Sequence, residues 1–176
     1  VFFRITAYDK NSNVTISQPA NPNFIPIVFT VLANQTYSID FSPYLPIIEN
    51  KPGNTALNYG VLISSTTSIS AYYEIARLNN PEIFPLKGSV SKGIDFLIPA
   101  QTRFDNSCCS NGTNGTPYSF PAHNGFAIIA TEDNTAVEIT PSATTVLNKP
   151  AGVPYQISLN KGEVYTVFGR LNGSTG

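Results

Sequence analysis

Residues Phe126–Thr140, FAIIATEDNTAVEIT, read as a strand, an acidic turn and a second strand. Phe126, Ile128 and Ala130 share one face by period-2 alternation, and Val137 and Ile139 share a face of the second run. Glu132-Asp133-Asn134-Thr135 makes the reversal. A near-copy stands at the other end of the chain: Phe3, Ile5 and Ala7, then Asp9-Lys10-Asn11, then Val14 and Ile16. The spacing from Phe3 to Phe126 and from Ile16 to Ile139 is the same, 123 residues. A hairpin present twice at constant offset indicates a fold built by duplication. It also argues against a one-off active site in that hairpin.

The echo continues outward. Pro26-Ile27-Val28-Phe29-Thr30-Val31 precedes Tyr37-Ser38-Ile39, and Pro154-Tyr155-Gln156-Ile157-Ser158-Leu159 precedes Tyr165-Thr166-Val167. Here the offset is 128, so the second copy holds five more residues, placed in Pro141–Val153. Such a Pro/Ala/Thr/Gly-rich stretch tolerates insertion. After Tyr37–Phe41 the first copy runs on through Tyr59–Ile75. The second has only Gly169–Gly176 after Phe168, so its next two strands are expected beyond this stretch, leaving an edge for other chain segments or a partner to cover.

Alternation predicts eleven strands: Phe2–Tyr8, Asn13–Ser17, Ile25–Leu32, Thr36–Phe41, Tyr59–Ser64, Ser68–Ile75, Gly93–Ile98, Asn124–Thr131, Ala136–Thr140, Pro154–Leu159 and Val164–Phe168. Asn34 and Gly162 suit positive-φ turn positions. The expected fold is all-β, with β-sandwich modules built by internal duplication and the second module incomplete. The expected division is a first module over 1–78, a connector with one strand over 79–101, a long Cys-containing loop over 102–123 and a truncated second module over 124–176.

Composition narrows the function. Charged residues make up 12% of the 176, about half the usual share of roughly 25%. Polar surface must therefore come from Ser, Thr, Asn and Gln, as in extracellular β-proteins. The net charge of −1 supplies no field for nucleic acid, and no apolar run approaches a membrane span. The chain starts at Val1 and ends in Leu171-Asn172-Gly173-Ser174-Thr175-Gly176, which reads as a piece of a longer secreted, cell-surface protein.

The remaining candidates sit in loops. Arg103–His123 holds three Asn, two Gly, two Pro and both cysteines. Cys108 and Cys109 are adjacent, with Cα atoms about 3.8 Å apart, closer than ordinary disulfides prefer. A strained vicinal disulfide is expected, the alternative being partners elsewhere. Tyr118 and Phe120, with Asn111 and Asn114, make this loop the candidate ligand-binding surface. His123 has no framed nucleophile or orienting acid beside it, so no catalytic residue is assigned. Two thiols and one histidine are too few for a closed zinc site, and no metal is assigned. Glu132-Asp133-Asn134 offers oxygens of the kind calcium takes. An Asx-stabilised turn uses the same oxygens, and Lys10 stands where the second copy has Asp133, which favours the turn and no cofactor. Five sequons start at Asn13, Asn34, Asn111, Asn114 and Asn172; they are glycan acceptors or turn residues according to source. Tyr73 should face inward with Ile69 and Ala71, and Tyr72 outward.

Taken in order, four segments resemble the N-terminal domain of the IgG Fc-binding protein family, in the form found in large surface proteins of gliding bacteria. They are Tyr59–Ser65 with Ile69–Tyr72, Asn80–Gly88 with Gly93–Gln101, Ala130–Thr135, and Leu159…Gly162-Glu163-Val164-Tyr165. The resemblance spans roughly Tyr59–Gly176 and departs at Asp105–Gly115. It implies a non-enzymatic adhesin-like spacer or presentation module, with parents often bearing a type IX sorting domain. Its partners would be other domains of the same chain, glycans or neighbouring subunits. A carbohydrate-binding module using the 103–123 loop and a polymerising filament subunit completed by a donated strand are the alternatives. Fc binding itself is not carried over, because no binding residues map onto this chain.

Overall fold

The computed structural model describes residues 1–76, 81–99 and 125–170. The candidate residues Cys108, Cys109, Asn111, Asn114, Tyr118, Phe120 and His123 lie outside the described residues. Twelve strands are formed among those described: β1 (Phe2–Ala7), β2 (Ser12–Ser17), β3 (Ile27–Val31), β4 (Thr36–Asp40), β5 (Ala56–Leu57), β6 (Leu62–Ser65), β7 (Ile69–Ile75), β8 (Glu82–Pro85), β9 (Gly125–Ile129), β10 (Thr135–Ile139), β11 (Tyr155–Leu159) and β12 (Val164–Phe168). Two short 3₁₀ turns, Ser42–Ile47 and Gly88–Ser91, are the helical elements. The fold is all-β and antiparallel.

The chain divides into two compact units. Unit 1 is Val1–Glu49 with Tyr59–Ile94, and unit 2 is Asn50–Asn58 with Asp95–Gly176. In unit 1 the sheets are β4-β1-β7-β8 and β3-β2-β6. Alternation turns Phe3, Ile5 and Ala7 of β1 and Val14 and Ile16 of β2 to one interior, where they meet Phe24, Val31, Phe41 and Ala71. Both sheets close on that one core, a sandwich-like arrangement. Phe3 packs edge-on to Phe41 at 4.8 Å between ring centroids, a favoured aromatic geometry. In unit 2 the sheets are β5-β12-β9 and β10-β11, and Ala130, Ile139, Leu159, Tyr165 and Val167 form the core.

The duplication read from sequence reappears in the backbone pairing. In unit 1, Phe3 faces Ile39 and Ile5 faces Tyr37; in unit 2, Phe126 faces Val167 and Ile128 faces Tyr165. Val14 faces Phe29, and Val137 faces Ile157. Each pair maps onto its counterpart by the offsets 123 and 128 without a slip. Turn bonds repeat as well: Ala7 N–H donates to the Gln35 carbonyl at 3.1 Å and Ala130 N–H to the Glu163 carbonyl at 3.1 Å. Asn34 and Gly162 occupy the matching positive-φ turn positions, with φ of 58° and 83°. A one-residue slip would turn every inward side chain to solvent, so equal register preserves equal cores.

Three local expectations are corrected. Gly93–Ile98 alternates but forms no strand, and Ile94 and Leu97 are almost wholly exposed. The expected connector instead holds β8, which pairs with β7 from Tyr72↔Pro85 to Ile75↔Glu82. Pro81 and Pro85 suit an edge strand, where missing N–H donors are tolerated, and that is where β8 lies. The third is β5, taken up below. Tyr73 faces inward toward Phe3, and Tyr72 is 40% exposed, as alternation requires.

Gln18, 4% exposed, is a buried amide with a structural task. Its Nε2 donates to the Ile47 carbonyl at 2.7 Å and to the Tyr59 carbonyl at 3.3 Å, and its Oε1 accepts from Asn21 Nδ2 at 2.8 Å. Ile47 and Tyr59 flank the stretch where the chain leaves unit 1 and returns to it. One side chain thus fixes both ends of that excursion.

Two cores predict separable damage. Ile16→Ala and Ile139→Ala each remove a buried side chain at equivalent positions and should each cost about 2–5 kcal/mol. Native-state hydrogen exchange should show faster exchange in unit 1 for Ile16→Ala and in unit 2 for Ile139→Ala. Gln18→Leu should cost about 1–3 kcal/mol by leaving part-buried carbonyls unpaired, read by denaturant unfolding.

Candidate functional site: the edge of β12

Asn50–Asn58, NKPGNTALN, carries Pro, Gly and three Asn, a composition that reads as turn. Within it the structure forms the two-residue strand β5. Asn54 takes φ of 60°, a left-handed conformation that Asn accepts more readily than most residues, and its N–H donates to the Thr166 carbonyl at 2.6 Å. Ala56 and Leu57 then pair antiparallel with Tyr165 and Val164. Gly53 lies against the ring of Phe168, where any Cβ would collide with that ring. The result is that Val164, Tyr165, Thr166 and Val167 are all buried. A strand that would otherwise be an edge becomes the centre of its sheet, between β5 and β9.

Buried side-chain atoms without a hydrogen-bond partner among the described residues are Asn50 Oδ1, Asn54 Oδ1, Thr166 Oγ1 and Tyr155 Oη. All four belong to unit 2, and three lie on the β5 segment or on β12. Burial, and then the neighbouring Tyr165 hydroxyl, push the Tyr155 phenol up to about 12. Tyr165 is raised by the same burial. The Lys149 ammonium sits 4.9 Å from the centre of the Tyr155 ring.

The acidic turn of the opening hairpin is bound to the facing turn between β11 and β12. Asp133 Oδ1 accepts from Lys161 N–H at 3.0 Å, Asn160 Oδ1 accepts from Asn134 N–H at 3.3 Å, and Thr135 Oγ1 donates to the Glu132 carbonyl at 2.7 Å. In the first copy Asn11 Oδ1 accepts from Ala33 N–H at 2.9 Å. Ala33 is the counterpart of Lys161 at offset 128, so an amide does in unit 1 what a carboxylate does in unit 2. Among the described residues no three His, Cys, Asp or Glu side chains cluster as metal ligands would. Of the sequon residues described, Asn13 accepts from Thr30 Oγ1 at 2.8 Å across the β2–β3 pair, and Asn34 shapes the β3–β4 turn.

The chemistry available at β12 is strand addition: backbone groups along one edge are satisfied by a segment distant in sequence. Sequence reasoning missed β5 because two residues carry no measurable alternation. The one signal available was the run of uncharged Thr55-Ala56-Leu57 after Gly53-Asn54.

Residues 95–175 match the family model described as IgGFc binding protein. The match begins where the main segment of unit 2 begins, so it covers that unit apart from Asn50–Asn58 and Gly176. The Ala130–Thr135 and Leu159–Tyr165 segments fall inside it, and Tyr59–Ser65, Ile69–Tyr72 and Asn80–Gly88 fall outside. No curated protein and no solved structure matches the chain.

Gly53→Val should drive β5 off the Phe168 ring and cost about 1–3 kcal/mol by overpacking. Hydrogen exchange at Asn54 and along Ala56–Leu57 should accelerate first. The raised phenol gives a pH dependence of fixed sign. A group whose folded pKa, about 12, exceeds its ordinary 10.0 stabilises fully below pH 10, and that contribution is lost as pH rises toward 12. Alkaline unfolding followed by tyrosinate absorbance should therefore be shallower over that window in Tyr155→Phe.

Proposed function

We propose, starting from an IgGFc-binding-type domain at residues 95–175, that this chain is a structural and adhesive segment of a large secreted surface protein. The family is one of binding domains and is not a known enzyme family, and no helix among the described residues is long and apolar enough to cross a membrane. The observation that carries the reading is the repeated unit whose edge is completed by a segment lying about a hundred residues earlier in the chain. An antiparallel module whose edge is closed by a segment distant in sequence suits a spacer that must hold its shape while presenting other domains outward. The sparse charge and abundant Ser, Thr and Asn fit an extracellular surface. Adhesion, type IX export and contacts with glycans belong to this proposal as its finer content.

The strand-completion chemistry favours polymerisation by donated strands as the second reading, since β12 already accepts a strand of that kind.

In cells that produce the full protein, an antibody raised against this chain should label intact cells, and brief protease treatment of those cells should remove the label. Excising the chain in frame should leave export of the flanking parts intact while reducing attachment to surfaces. Labelling only after permeabilisation, or unchanged attachment after excision, contradicts the proposal.

A further inference from the structure

Equal register makes β4 the counterpart of β12, residue by residue: Thr36 with Val164, Tyr37 with Tyr165, Ser38 with Thr166, Ile39 with Val167 and Asp40 with Phe168. Their surroundings differ. Tyr165 is 8% exposed, and its counterpart Tyr37 is 43% exposed. Four of the five residues of β12 are buried, and none of β4 is. The difference lies on the outer side. β12 carries β5 there, whereas β4 is the outermost strand of its sheet among the described residues.

Exposed sheet edges are usually blunted by Pro, Lys or a bulge. The β4 sequence, TYSID, has neither Pro nor Lys, and it pairs with β1 in unbroken register over five residues. Its one charge, Asp40, is already engaged: the carboxylate accepts from Ser42 N–H at 2.8 Å and faces the Val1 ammonium at 3.9 Å. These contacts hold the Asp40 carboxyl below its ordinary value, the Ser42 hydrogen bonds first. On the inner side, Ser38 Oγ accepts from Arg4 Nη1 at 3.0 Å, and Arg4 pairs with Glu74 on β7. The strand is therefore held from one side and, among the described residues, has no strand on the other.

We propose that the outer edge of β4 accepts a strand equivalent to residues 50–58, supplied by another module of this kind. The inference rests on the structural proposal for this chain and extends it, because it makes completion of an edge by a segment like residues 50–58 recurrent instead of a single event. The acceptor is the Ser38 carbonyl, counterpart of the Thr166 carbonyl that takes the Asn54 N–H, with Thr36 and Tyr37 as the paired residues. The occupant is short, extended and uncharged where it pairs, as Thr55-Ala56-Leu57 is. At one position its requirement is relaxed. Gly53 must lack a Cβ because Phe168 stands over it, whereas β4 has Asp40 there, which leaves room for a polar or basic residue.

The test tethers a second copy of Asn50–Asn58 to Val1 of the full chain through a Gly/Ser linker. About ten residues give a reach of roughly 17 Å and a local concentration in the millimolar range. A scrambled copy on the same linker controls for loss of the free N-terminus. Amide exchange is read at Thr36–Asp40 and at Val164–Phe168. The proposal expects at least tenfold slower exchange at amides of β4 than with the scrambled tether, and unchanged exchange at β12. Equal exchange at β4 in the two tethers overturns it. So does exchange altered at β12 alone, which would mean that the tether only competes with the resident strand. Dimerisation of the untethered chain with protection spread symmetrically over β4 also overturns it, because the edge would then pair with itself. Any of these failures leaves surface labelling and attachment unaffected, so the wider functional proposal stands or falls separately.

Discussion

A strand at the margin of a sheet carries a row of N–H and C=O groups that water or another strand must satisfy. β12 satisfies its row with β5, and much of unit 2 follows from that pairing. With β5 in place, Val164 through Val167 are removed from solvent, and the core formed by Ala130, Ile139, Leu159, Tyr165 and Val167 is closed on the β12 side. The same pairing explains the excursion at Asn50–Asn58, whose Gly53 and Asn54 are chosen for close approach and for a left-handed backbone. Gln18 fixes where the excursion leaves and returns, by donating to the Ile47 and Tyr59 carbonyls. Three residues of modest chemistry therefore hold a long-range link that hydrophobic patterning alone would not specify.

The two units use one plan with different residues. Ala7 and Ala130, Ile16 and Ile139, and Val31 and Leu159 are buried at matching positions. Unit 1 adds β6, β7 and β8 on the far side of β2 and β1, and no strand pairs with the corresponding edges of β10 and β9 among the described residues. Among the described residues, β1 and β2 thus carry strands on edges where β9 and β10 carry none, and β12 carries one where β4 does not.

The sequence made the duplication legible because β-strands bury alternate residues. Phe3, Ile5 and Ala7 against Phe126, Ile128 and Ala130 fixed one offset, and Tyr37 against Tyr165 fixed the other. The structure then showed that the two copies share one register. What escaped was everything that depends on neighbours. Gly93–Ile98 alternates well and forms no strand, because alternation states which face a strand would bury and not whether a sheet lies beside it. Pro81 and Pro85 argue against a strand at Glu82–Pro85, yet β7 offered an edge that tolerates them. Ala56–Leu57 is too short for any pattern, and β12 recruited it. The candidate ligand surface at Tyr118 and Phe120 lies outside the described residues, so the site that emerged is a backbone edge, which no side-chain motif announces.

The most direct measurement of the central claim is a covalent trap across the β5–β12 pair. Leu57 and Val164 are direct cross-strand partners. The double substitution Leu57→Cys with Val164→Cys, in a chain whose Cys108 and Cys109 are replaced by Ser, should form an intramolecular disulfide under mild oxidation in the folded monomer. A matched control with Leu57→Cys and Ile128→Cys, which are not partners, should form little. Rapid and selective crosslinking of the first pair is the predicted result. Absence of that crosslink in folded protein, or equal crosslinking of both pairs, would contradict the account of unit 2 as a module finished by a strand from earlier in the chain.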